Sequence, residues 1–214
     1  MKISLTVVAL LLLLWIGVQV AVGQRGTCSC EKVPDDSCHG IVTCPGGCTA
    51  LCGSNDACYL SCRSDLLHTR ISEKFVKKEG GEIASVLSDR THKKIEFTPY
   101  PRNLHARYDL EIKDDDIWNA LNFLYKRGNV KIGGLDFGKL RELRREMRLG
   151  KQVSVNFIGI PAKDVVAKLA FLSGRSFRVK SGDPEKLVSI SLQQVTLDEV
   201  ISRVSASAGV KIKK

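Results

Sequence analysis

Eight cysteines are the residues of this chain best suited to chemistry, and all of them lie within one stretch of 35 residues. They are Cys28, Cys30, Cys38, Cys44, Cys48, Cys52, Cys58 and Cys62. Zinc knuckles and thiol oxidoreductases use Cys-x-x-Cys, and haem attachment uses Cys-x-x-Cys-His. Neither motif occurs, because the gaps are one, seven, five, three, three, five and three residues long. The spacing therefore favours structural disulfides, with a redox or metal-handling role as the alternative.

The last four cysteines suggest a local structure. Cys48 and Cys52 are four residues apart, as are Cys58 and Cys62, and this spacing places each pair on one face of a helix. A turn at 53–57 carries residues that end and cap helices. The pattern predicts an antiparallel helical hairpin closed by Cys48–Cys62 and Cys52–Cys58, with the other four cysteines bridged among themselves.

A basic segment near position 140 is the second candidate for function. Its charged members are Lys139, Arg141, Arg144, Arg145 and Arg148, and an apolar stripe at helical spacing is formed by Leu140, Leu143 and Met147. Such a helix can contact an acidic partner, anionic lipid head groups or a polyanionic envelope polymer. The alternative, which the apolar stripe favours, is a solvated linker helix packed on a neighbouring domain. Nucleic acid is disfavoured because no aromatic and basic recognition motif accompanies the charge.

The remaining residues do not assemble a recognisable catalytic set. The four histidines are scattered and are interpreted as surface residues: His39, His68, His92 and His105. No HExxH, GxSxG or phosphate-loop motif is present. We therefore predict a protein that is not an enzyme, with no catalytic, cofactor-binding or metal-binding residues and no cofactor.

The N-terminus and the composition indicate an exported globular protein. The chain has 214 residues and a net charge of +10, and residues 3–22 carry no charge. Residues 1–23 are predicted to be a signal peptide cleaved after Gly23, or else an uncleaved N-terminal anchor in the inner membrane. With 43% hydrophobic and 26% charged residues, the chain can bury a core and is not a disordered protein. The expected location is the periplasm or the exterior.

The chain beyond position 67 has no cysteine and is periodic and basic, with 29 lysines and arginines against 18 carboxylates. Alternating apolar residues at 153–157 predict a strand, and Pro161 and Gly174 bound a predicted helix. The complete pattern in 153–212 is strand, helix, strand, strand, helix, strand. The same order is predicted 82 residues earlier, in 71–132, so the sequence indicates an internal duplication.

The C-terminal copy resembles the short N-terminal domain of secretins and TonB-dependent signalling receptors. The similarity lies in the runs VSVNF at 153–157, PAKDVV at 161–166, VSISL at 188–192 and VTLDEV at 195–200. Residues 71–132 resemble a divergent second copy. The resemblance implies a small α/β docking or assembly domain of the bacterial periplasm, without catalytic residues.

These observations predict an α+β protein with two tandem βαββαβ domains after a disulfide-rich helical hairpin module. The predicted parts are a signal segment at 1–23, a separate cysteine-rich module at 24–66, a first domain at 69–133, a basic helical linker at 134–150 and a second domain at 151–214. The expected function is a non-enzymatic interaction or assembly module that binds another envelope protein, whose identity the sequence leaves open.

Overall fold

A computed structural model of the chain describes residues 25–30, 40–53, 57–115 and 117–214. The predicted signal segment, Cys38, His39 and most of the predicted turn at 53–57 lie outside these residues. The described chain is a mixed α+β protein, as the sequence predicts.

The cysteine-rich segment consists of two β-hairpins. Its strands are β1 (Arg25–Cys30), β2 (Gly40–Pro45), β3 (Cys48–Cys52) and β4 (Cys58–Cys62). Strands β1 and β2 pair antiparallel, as do β3 and β4. The predicted helical hairpin is therefore wrong. Residues four apart share a face in a strand as well as in a helix, so the cysteine spacing could not distinguish a strand from a helix.

Two disulfides join one hairpin to the other. They are Cys28–Cys48 and Cys44–Cys62, with Cα atoms 5.7 and 5.4 Å apart. The predicted Cys48–Cys62 bridge is therefore wrong. The prediction that the first four cysteines bridge among themselves is also wrong for Cys28 and Cys44. Cys48 and Cys62 do lie opposite each other in the ladder, but each is bonded to the other hairpin, because β1 packs on β3 and β2 packs on β4.

Cys52 and Cys58 also lie opposite each other, and both are disulfide-bonded. Their bridge to each other stays a prediction.

The chain from residue 71 onward contains two units with the same order of elements. The first unit contains β5 (Ile71–Glu79), α1 (Gly80–Thr91), β6 (Ile95–Pro99), β7 (Arg107–Asp115), α2 (Trp118–Tyr125) and β8 (Gly128–Ile132). The second contains β10 (Val153–Pro161), α4 (Ala162–Ser173), β11 (Arg178–Ser181), β12 (Leu187–Val195), α5 (Leu197–Ala208) and β13 (Lys211–Lys213). Between them lie β9 (Leu135–Asp136) and α3 (Phe137–Arg148).

Strand pairing is also alike in the two units. The first and third strands pair antiparallel in each, as do the second and fourth. The first helix of each unit ends at a residue in the left-handed conformation, His92 with φ 51° and Gly174 with φ 65°. These two residues are 82 positions apart in the chain.

The sequence predicts a separate cysteine-rich module, but in the structure this segment shares a sheet and a core with the rest of the chain. Strand β3 pairs antiparallel with β10, which gives a four-stranded sheet in the order β12, β10, β3, β4. All five residues of β3 are buried, as expected for a strand with neighbours on both edges and packing on both faces. Leu51, Tyr59 and Leu67 belong to the same hydrophobic core as the two units.

A buried polar network also ties the cysteine-rich segment to both units. The Nζ atom of Lys168, on α4, donates to Ser61 Oγ at 2.9 Å and to the Cys62 carbonyl at 3.2 Å. Lys93, from the first unit, donates to Asp65 Oδ2 at 2.7 Å and to the Leu60 carbonyl at 2.8 Å. Burial lowers the pKa of Lys168 from 10.5 to about 8, so its ammonium group is charged at neutral pH and requires these partners.

His68 lies beside this network and is a buried residue, contrary to the surface position expected from the sequence. Its side chain is 7% exposed, and its Nε2 is 4.0 Å from Asp164 Oδ1. Burial, followed by the nearby charge of Lys168, lowers the pKa of His68 from 6.5 to about 4. The imidazole is therefore neutral at physiological pH.

The C-terminal core gives the first prediction. Leu169 is fully buried on α4, so Leu169→Ala is expected to lower the free energy of unfolding by about 2–5 kcal/mol through lost transfer energy and a cavity. The control is Leu187→Ala, at a side chain that is 55% exposed. It is expected to change the free energy of unfolding by less than about 0.5 kcal/mol. Urea unfolding followed by circular dichroism measures both, and equal effects would contradict the assigned core.

The buried imidazole gives the second prediction. Between pH 6.5 and 4 the unfolded chain takes up a proton at His68 whereas the folded chain does not, so the free energy of unfolding falls as the pH is lowered through this window. His68→Asn is expected to reduce that fall, and His105→Asn, at an exposed site, is expected to leave it unchanged. Urea unfolding at pH 7, 5.5 and 4.5 measures the slope, and identical slopes for His68→Asn and the parent would show the assignment to be wrong.

Candidate functional site

The basic helix predicted from the sequence is α3, and its local structure follows from its ends. Asp136 caps the N-terminus, where its carboxylate accepts from the backbone N–H groups of Gly138 at 2.6 Å and Lys139 at 3.3 Å. The helix ends before Gly150, which has φ 72°. The helix, Phe137–Arg148, lies within the segment 134–150 for which the sequence predicts a basic helical linker.

Helix α3 is packed by its apolar stripe, as the linker interpretation expects. Leu140, Leu143 and Met147 are all buried. The helix contacts β4 of the cysteine-rich segment, β8 of the first unit and α4 of the second. It is thus a central element that all three parts of the chain share, and its arginines are held on a fixed backbone.

Four arginines of α3 line one groove. Arg141, Arg144, Arg145 and Arg148 follow the helical repeat and face α2, where Trp118, Asn119 and Asn122 form the opposite wall. Leu149 lies at the end, and the groove encloses about 560 Å³. We call this feature the arginine groove. Lys139, the fifth candidate from the sequence, is exposed but does not line it.

Aromatic rings orient two of the guanidinium groups. That of Arg144 lies 4.0 Å from the centroid of the Trp118 ring, and that of Arg141 lies 4.9 Å from the centroid of Tyr125. Stacking on an aromatic face suits the flat guanidinium and leaves its edge free for hydrogen bonds. Trp118 belongs to the buried core, and its ring also forms the floor under Arg144.

The groove carries little compensating negative charge. Among the residues that the structure describes, no carboxylate lies within 4.0 Å of a side-chain nitrogen of Arg141, Arg145 or Arg148. Glu146 faces the other way and is buried, with Lys151 Nζ 3.6 Å from its carboxylate. Guanidinium groups stay protonated and are donors only, so the arrangement is suited to binding carboxylates or phosphates and not to proton transfer.

The other candidates do not gather at this groove. The described cysteines lie in the two N-terminal hairpins, where six of them form disulfides. His92 and His105 are exposed on separate elements. Within the described ranges, no three side chains of His, Cys, Asp or Glu cluster as metal ligands do.

Sequence reasoning missed a second cleft, which is formed by His68, Arg70 and Arg175 together with Arg144. These residues come from three segments that are far apart in the chain. No periodic signal in the sequence could have associated them.

Two further findings concern membrane-spanning helices and similarity to known proteins. No helix in the described part of the chain is long and apolar enough to cross a bilayer. No protein-family model, curated protein or solved structure matches the chain.

Proposed function

We propose that this protein is an exported, non-enzymatic interaction module of the bacterial cell envelope that binds an acidic segment of another envelope protein. The arginine groove is the observation that carries the proposal. It presents four guanidinium groups on a rigid helix, and three of them have no carboxylate partner among the described residues. A protein segment rich in Asp or Glu supplies the complementary charge.

The disulfides support the proposed location. Cys28–Cys48 and Cys44–Cys62 are compatible with an oxidising compartment outside the cytoplasm. Together with the apolar N-terminal segment, they favour a periplasmic or secreted protein. Whether that segment is cleaved after Gly23 stays a prediction.

The two units support the proposed class of module. Their equal element order and equal strand pairing are what two copies of one domain would show. We therefore propose that they are tandem domains of the secretin and TonB short N-terminal type. The specificity for the partner is assigned to the surfaces of these units, and the arginines of α3 contribute charge.

Binding of an acidic segment gives the third prediction. The triple variant Arg141→Gln, Arg145→Gln, Arg148→Gln retains Arg144, whose stacking on Trp118 is part of the packing. We expect it to keep the parent melting temperature and to weaken binding of a fluorescent Glu-rich peptide by about tenfold or more at low salt. Fluorescence anisotropy at several salt concentrations measures the affinity and its salt dependence.

The matched control loses the same charge elsewhere. Lys139→Gln, Arg203→Gln, Lys211→Gln removes three exposed positive charges that do not line the groove. If both triple variants weaken the peptide equally, the effect is one of net charge and the groove is not the site. If phosphatidylglycerol vesicles bind the parent in a groove-dependent way and the peptide does not, the partner is an anionic membrane and the proposal is wrong.

The alternative function is redox or metal handling by the cysteine-rich segment. Six cysteines in disulfides argue for a scaffold, since neither thiolate ligands nor an exchanging thiol pair would be available from them.

Thiol counting under denaturing conditions, after metal removal, gives the fourth prediction. We expect no reactive thiol in the protein extracted from the envelope, because a scaffold keeps its cysteines oxidised. Two or more thiols per chain would favour the alternative function.

A further inference from the structure

The second cleft shares only Arg144 with the arginine groove among its lining residues and encloses about 380 Å³. It lies between the segment that precedes β5, helix α3 and the C-terminal end of α4. Arg70, Arg144 and Arg175 line it together with His68 and Ser176, and no carboxylate is in its lining. We call it the His68 cleft.

The rest of the lining is apolar. Phe171, Phe177, Ala167 and Ala170 form it, with Gly174 at the edge. A concave site with an apolar wall and a few converging polar groups is the usual form of a small-molecule site, and this volume is near the lower end of that range. At about 30 Å³ for each water-sized group, it has room for roughly a dozen non-hydrogen atoms.

Two of the arginines have partners that a ligand could replace. Arg70 is paired with Asp114, and Arg175 Nη1 is 4.0 Å from Asp198 Oδ1. All four side chains are at least 40% exposed, so solvent screens both pairs and each contributes little to stability. A ligand carboxylate in the cleft could therefore bind these guanidinium groups with little loss of folding stability.

His68 adds a polar group that lacks a partner. Its Nδ1 is buried and has no hydrogen-bond partner in the described part of the chain. A neutral imidazole has one donor and one acceptor nitrogen, and Nε2 faces the Asp164 carboxylate. We assign the proton to Nε2 on this ground, which leaves Nδ1 as an acceptor for an N–H or O–H group. An acceptor left unpaired in the interior is costly, so a ligand donor there would be stabilising.

Gly174 lets Arg144 lie close against the end of α4 in the wall of the cleft. A Cβ atom added at residue 174 would lie 2.4 Å from Arg144 Nη2, and the residue has φ 65°. Glycine meets both conditions, because it has no side chain and tolerates a left-handed backbone. The end of α4 is therefore shaped to let a guanidinium group approach it.

We propose that the His68 cleft binds a small organic anion that combines a carboxylate or phosphate, an apolar body and an N–H or O–H donor. The anionic group contacts Arg70 and Arg175, the apolar body contacts Phe171 and Phe177, and the donor contacts His68 Nδ1. This is a function in addition to the binding of an acidic protein segment, and its ligand contacts are assigned to residues other than Arg141, Arg145 and Arg148, although Arg144 lines both sites.

The test uses N-acetyl-phenylalanine and phenyl phosphate as probes, titrated into the ¹⁵N-labelled exported chain and followed by NMR. We expect saturable shifts at Arg70, Arg175 and Phe177, with a Kd of about 1 mM or tighter for at least one probe. N-acetyl-phenylalanine amide lacks the charge and acetate lacks the apolar body. Each is expected to bind at least about tenfold more weakly than N-acetyl-phenylalanine, because each lacks one class of contact.

The variants Arg175→Gln and His68→Phe are each expected to raise the Kd of the tighter-binding probe by about threefold to tenfold, since each removes one hydrogen-bonding group. Arg203→Gln, at an exposed arginine on α5, is the matched control and should have no effect. Arg175 is well exposed, so that variant tests the site even if His68→Phe is destabilised.

Absence of saturable shifts with both anionic probes would overturn the proposal, as would equal binding of the amide or of acetate. The triple variant of the arginine groove is expected to bind the probes as the parent does. A failure at the His68 cleft is therefore distinguishable from a failure of the proposed acidic-segment binding.

Discussion

The burial of the Lys168 ammonium group is the constraint on which much of this structure depends. A charge moved out of water must find hydrogen-bond acceptors, and Lys168 finds them in Ser61 and the Cys62 carbonyl, both on strand β4. Asp65 follows that strand, accepts from the Cys62 backbone N–H at 2.9 Å and pairs with Lys93. The end of the cysteine-rich segment is thus fixed between α4 of the second unit and Lys93, which lies between α1 and β6 of the first.

The disulfides and this network act on the same strand from two directions. Cys62 is bonded to Cys44 of the neighbouring hairpin, and its carbonyl accepts from Lys168. The disulfides connect the hairpins to each other, whereas the network and the pairing of β3 with β10 connect them to the α/β units. Small hairpins with few large apolar residues could not bury enough surface alone, so their order depends on both kinds of connection.

The sequence predicted features that depend on local chemistry. The stripe of Leu140, Leu143 and Met147 and the left-handed end of α4 at Gly174 are observed where the pattern indicates them. Prediction failed where a choice depended on distant partners. The run CTALC suits a helix or a strand, and its pairing with β4 and with the distant β10 determines that it is a strand. Cys48 could not be matched to Cys28 because that contact requires one hairpin to stack on the other. The His68 cleft is formed by residues from three segments, so the spacing of residues in the sequence could not predict it.

Arg144 is the residue at which the two candidate binding sites meet. Its guanidinium group lies on the Trp118 ring in the arginine groove, and the same group fills the space that Gly174 leaves open in the His68 cleft. A shift of that side chain would change both sites together, because the same guanidinium group lines both. Arg145 and Arg148 differ, since no aromatic ring in the described part of the chain lies against them, and they can respond to an anion by rotamer changes alone. The fold therefore places the stacked Arg144 between two sites and leaves Arg145 and Arg148 without an aromatic contact among the described residues, so a positioned guanidinium group lies beside two that can adapt to an anion.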